Sequence, residues 1–155
     1  QPPFCKKDVS GSALSLHDLK CGNILNYDTA EGEVLPTVID WKDIKWLTED
    51  QKGFNLVHSP IELNNSLLIR LGFEDWGEKI CNDYEKYHRW VLHNVVDGTS
   101  NFEVHIIYSN YGGQECRVIC FSIDNDDRQF LKETDYLHNL QNCYQSITGV
   151  MLSLS

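Results

Sequence analysis

The residues whose types could do chemistry lie in the middle and at the end of the chain. His88, Glu103 and His105 offer the donor types of a divalent-metal site, if the strand register puts His88 and His105 on one face. No third protein ligand falls at useful spacing. The expectation is therefore no metal and no cofactor, with these histidines on solvent-side strand positions. His138, Gln141 and Asn142 could hold a small ligand through ring and amide contacts; the alternative is a helix anchored to a sheet by His138. Cys143 and His138 are five residues apart on one helix. At roughly 100° per residue they point about 140° apart, so they form no nucleophile–base pair alone.

Other patterns fail on their spacing. Asp124-Asn125-Asp126-Asp127 resembles a calcium loop, but Arg128 and Gln129 stand where a ligand and the glycine are needed. The chain has no GxSxG, Walker A, GxGxxG or HExxH pattern. An enzyme is therefore not expected. Asn64-Asn65-Ser66 is formally a glycosylation sequon, but it reads better as a helix cap. Trp41 and Trp46, interleaved with Asp40, Lys42, Asp43 and Lys45, are the tryptophans expected at the surface, where they could anchor a partner.

Composition sets the frame for these groups. The 155 residues fit one domain, with residues 1–15 expected as a flexible arm and 16–155 as the folded unit. The net charge of −10 opposes direct nucleic-acid binding and suits a basic protein partner. No apolar run approaches the roughly 18 residues of a membrane span, and no signal-peptide pattern is present. Six cysteines without a CxxC pair argue for reduced thiols, including Cys116, Cys120 and Cys143, in a cytoplasmic setting. A secreted, disulfide-stabilised domain is the alternative.

The pattern of elements predicts an α+β fold. Short β elements are expected around 24–27, 34–39, 44–47 and 54–57. A short helix follows Asn64, stapled by Leu63 and Leu68 and stopped at Gly72. Residues 75–85 are ambiguous. A β-meander should run from Tyr87 through the Asp97-Gly98 turn to Ile123, with Phe102, Val104, Ile106 and Tyr108 on one face. Residues 116–123, apolar on both faces, are expected to form the central strand. Thr134 or Asp135 should cap a final helix that packs Leu137, Leu140, Tyr144 and Ile147 on the sheet and ends at Gly149.

Three segments carry a resemblance. They are Leu19-Lys20-Cys21-Gly22-Asn23-Ile24-Leu25; Pro60-Ile61-Glu62-Leu63 with Leu67-Leu68 and Leu71-Gly72-Phe73; and Tyr136-Leu137-His138-Asn139-Leu140-Gln141-Asn142 with Tyr144 and Ile147-Thr148-Gly149. Together they resemble an uncharacterised family of small proteins from gut bacteria and their bacteriophages. The resemblance runs from Leu19 onward. It departs after Gly149, where Val150-Met151 stands in place of an acidic-leucine ending. It implies a bacterial or phage accessory protein inside the host cell and transfers no functional residue.

The expected function is binding of a basic protein partner, in its sharpest form inhibition of a host nucleic-acid-handling or defence protein. The second expectation is a nucleotide-type ligand module that stacks bases on aromatic rings.

Overall fold

The computed structural model describes residues 13–124 and 135–155. The expected arm therefore lies largely outside the described residues, as do Asn125 to Arg128 and Thr134. The elements run β1 (Ile24–Asp28), β2 (Val34–Val38), α1 (Trp41–Glu49), α2 (Gln51–Val57), β3 (His58–Ser59) and α3 (Asn65–Arg70). There follow β4 (Glu74–Asn82), β5 (Glu85–Val96), β6 (Ser100–Tyr111), β7 (Gln114–Ile123) and α4 (Leu137–Thr148). The fold is α+β, built on two antiparallel sheets ordered β2-β1-β3 and β4-β5-β6-β7.

The larger sheet is a meander. Asp97 and Gly98 both take positive φ at the β5–β6 turn, as a tight hairpin of this kind requires. Val104 faces Trp90 on β5 and Phe121 on β7, so these residues share the sheet's inner face. That face packs with Leu67, Leu68, Leu137, Leu140 and Tyr144 into the main core. The ambiguous segment at 75–85 belongs to β4, an edge strand. Residues 116–123 form the opposite edge rather than the centre; β5 and β6 are central. The apolar character of β7 on both faces is real at its second half, where Ile119 to Ser122 are buried.

Two expected strands are helical instead. Asp40 caps α1 by accepting from Lys42 and Asp43 N–H, while Asp43 accepts back from the Asp40 N–H, closing a capping box. Asp50 caps α2 through Gly53 N–H. The apolar residues 44–47 and 54–57 are too few to show a period, so the caps decide. Leu47 and Phe54 then meet Leu14, Leu19, Leu25 and Ile39 in a second, smaller core. The packed region thus reaches back to Leu14, just before the expected boundary at Leu16.

Helix α3 follows its sequence reading: Asn64 Oδ1 accepts from Leu67 N–H at 2.9 Å, and Phe73 N–H donates to Leu68 O at 3.0 Å past Gly72. Helix α4 departs from it. Its N-cap is Tyr136, which makes no side-chain capping bond. Leu137 N–H instead donates to Ile61 O, and Leu63 N–H to Asp135 O, so the 61–63 segment stands in for a cap. Gly149 ends the helix in the left-handed region, as expected.

Cys21, Cys81, Cys120 and Cys143 are thiols. Cys116 is disulfide-bonded, which corrects the expectation of a reduced thiol there. A disulfide removes two thiols, so titration of the unfolded, unreduced protein should find fewer than the six cysteines of the chain. Six would show Cys116 reduced.

Candidate functional site

The residues whose types suit a metal site are divided by the sheet. His88 lies opposite Ile106 on the inner face, where its Nε2 contacts Asp75 Oδ1 at 2.5 Å. His105 lies on the outer face with Glu103. The set of His88, Glu103 and His105 therefore cannot converge on one ion.

On the outer face, strand register builds a buried polar cluster. Glu103 faces Val91 and Ser122, and His105 faces Arg89 and Cys120. Arg89 grips Glu103 with two hydrogen bonds, one from Nε to Oε1 and one from Nη2 to Oε2 at 2.9 Å. His105 Nε2 lies 3.1 Å from Glu103 Oε1 and 3.2 Å from Ser122 Oγ. The Tyr87 ring stacks on His105, and the Arg89 guanidinium lies 4.6 Å over Trp76. Burial raises the Glu103 pKa, but hydrogen bonds from His105 and Arg89, with their positive charge, outweigh it and hold it below its ordinary value.

Glutamate, histidine and serine together suggest a nucleophile relay, but the geometry differs. In a relay the acid orients one ring nitrogen and the hydroxyl addresses the other. Here both Glu103 and Ser122 sit at Nε2. Glu103 and Ser122 are fully buried, so the cluster holds strands β5, β6 and β7 together.

The expected ligand residues on α4 meet backbone. Gln141 is fully buried; its Oε1 accepts from Ile24 N–H at 2.9 Å, and its Nε2 donates to Gly22 O and Leu152 O. Asn142 Oδ1 accepts from Asn23 at 2.8 Å, and its Nδ2 donates to Asp18 O. His138 is buried, with its ring stacked near Tyr136. These side chains join α4 to the segment entering β1. A separate open pocket of about 580 Å³ lies between the start of α3 and Tyr108 and Arg117. Arg117 there donates to Leu63 O at 3.1 Å.

The N-terminal sheet has the more unusual surface. Strand β2 lies at its edge, and Val34, Leu35 and Val38 are 57%, 48% and 64% exposed. Alternation puts Leu35 on one face and Val34 and Val38 on the other. Leu35 lies opposite Tyr27, whose ring is 5.3 Å from His58; the His58 ring is 5.4 Å from Trp46. This makes an apolar row across the sheet and onto α1. Three residues after Val38, Trp41 is 65% exposed, with Lys42 Nζ 5.8 Å from its ring. Residues 28–50 carry seven carboxylates against two lysines, half of the chain's net charge.

The structure thus places Trp41 and Trp46 beside an exposed apolar strand, while Gln141 and Asn142 bond within the chain. Sequence reasoning missed the strand's role: the one local signal of an open edge is Pro36, which central strands exclude. No helix among the described residues is long and apolar enough to cross a membrane. The chain matches no known family model, no curated protein and no solved structure.

Proposed function

We propose that this protein acts by binding a basic protein partner through the β2 edge, the Leu35–Tyr27–Trp46 row and Trp41. The observation that supports it most is the exposure of apolar side chains on both faces of one edge strand. Contiguous apolar surface with a charged rim is typical of interaction sites. The acidic rim supplies steering and partner selection rather than most of the affinity. The resemblance to small phage and bacterial proteins makes a host nucleic-acid-handling or defence protein the sharpest version, while the Cys116 disulfide favours the secreted alternative, with an extracellular basic partner. The nucleotide-module reading draws less support, because Gln141 and Asn142, on which it relied, are engaged inside the chain.

The test is capture from bacterial host lysate by wild type, Leu35→Ser and Trp41→Ala, at low and high salt. Both substitutions leave the net charge unchanged and touch exposed side chains. Trp41→Ala should weaken the captured complex by about 2 kcal/mol, roughly thirtyfold, as for an interface anchor. High salt should weaken it further. A partner retained equally by all three proteins and at both salt levels would refute this reading.

A further inference from the structure

We infer that the partner docks by adding an extended, lysine- or arginine-flanked segment as a strand along β2, rather than by covering one face of the sheet. This rests on the docking reading above and specifies its chemistry. Ile39 N–H donates to Asn23 O and Glu33 O accepts from Thr29 N–H, so odd-numbered residues of this strand direct their main-chain groups toward β1. By alternation Val34, Pro36 and Val38 direct theirs to the open edge. Val34 and Val38 each offer an N–H and a C=O; Pro36 offers only its carbonyl.

The side chains favour the same mode. A helix or a flat surface laid on the sheet would cover Leu35 or the pair Val34 and Val38, but not both sets, because they lie on opposite faces. A strand alongside β2 brings its own alternating side chains beside both. Main-chain bonds then supply affinity while the flanking side chains supply choice of partner.

Charge and Pro36 decide against a second copy of this chain as the occupant. Antiparallel self-pairing centred on Pro36 would set two prolines opposite each other, with no N–H from either. It would also bring Glu31 and Glu33 of one copy beside Asp40 and Asp43 of the other. Like charges at both ends oppose that pairing, and a mid-strand proline blunts an edge against its own kind. A foreign strand with an N–H free opposite the Pro36 carbonyl, and with basic ends, meets neither obstacle.

The probes are two ten-residue peptides with the same central Val-Ile-Thr-Val-Ile-Val, one with two lysines at each end and one with two glutamates. Binding to the full chain is followed by amide NMR and hydrogen exchange. The lysine peptide should bind at least tenfold more tightly than its twin. It should also slow exchange at Val34 and Val38, leaving Leu35 and Thr37, already directed to β1, little changed. N-methylating alternate peptide nitrogens should abolish binding for one alternate set and spare the other. Leu35→Ser, with unchanged charge, should lose binding as well. Failure of the lysine peptide to bind, binding that ignores Leu35→Ser, or binding without protection at Val34 and Val38 would each overturn strand addition. A lysate partner still lost on Trp41→Ala would then leave the docking reading standing on its own.

Discussion

Replacing Glu103 with alanine should destabilise the protein by about 3–5 kcal/mol, the usual cost of removing one member of a buried ion pair. The carboxylate is fully buried and joins Arg89 to His105 across two strands. Without it the guanidinium and the imidazole each lose a charged acceptor within the sheet. The variant pair Arg89→Met with Glu103→Leu should recover much of the loss, because a buried pair replaced by apolar groups is often close to neutral. Denaturant unfolding of the two single variants and the double measures this directly. A loss below about 1 kcal/mol for Glu103→Ala would mean that the carboxylate is not the hub described.

The same group sets an acid limit. Its folded-state pKa lies below its unfolded value. The stability it contributes is therefore present above the unfolded carboxylate pKa, about 4.3, and is lost as pH falls through the depressed folded value. Acid unfolding of wild type should be steeper below about pH 4 than that of the Arg89→Met, Glu103→Leu protein, which has no such group to titrate.

The second large effect is at Gln141. Its amide satisfies the Ile24 N–H and the carbonyls of Gly22 and Leu152. Gln141→Ala leaves these groups without it, at about 1–3 kcal/mol for each one left buried and unsatisfied, so a loss of about 3 kcal/mol or more is expected. Gln141→Glu is the sharper probe. At neutral pH a carboxylate there can still accept from Ile24 but would face two carbonyl oxygens. Burial and those oxygens would raise its folded pKa, so its stability should be regained below the unfolded value of about 4.3 and lost as pH rises through the folded one. Thermal unfolding of this variant at pH 4.5 and pH 7.5 checks the sign. Equal deficits relative to wild type at both values would show that ionisation at this position is not linked to folding.

What could be read from sequence was what is local. Asn64, Leu63, Leu68, Gly72 and Phe73 lie within ten residues of one another and make their cap, staple and stop among themselves. The alternation of Phe102, Val104, Ile106 and Tyr108 likewise needs only the period of a strand. Gln141 and Asn142 look like ligand contacts because long-range backbone partners leave no mark at the residue itself; theirs are at Ile24, Gly22 and Asp18. Glu103 and His105 share a face by spacing, but Arg89 and Ser122 join them only once the register is known. Asp40 stands out in the sequence for its charge beside the tryptophans, although its spacing to Asp43 is that of a capping box; the β-rich composition of 44–47 masks this local signal.

The contact between β1 and α4 also imposes an order of assembly. Asn23 and Ile24 are held by residues 119 and 117 positions later in the chain. On a ribosome adding about 5–20 residues per second, that separation is a delay of roughly 6–24 s. Through that interval the Ile24 amide has no amide oxygen to meet, and the apolar strand β2 has already emerged. The nascent chain thus shows this exposed apolar edge well before the helix that completes its fold exists. A mid-strand proline and a dense negative charge around that edge oppose pairing between neighbouring nascent chains on one messenger.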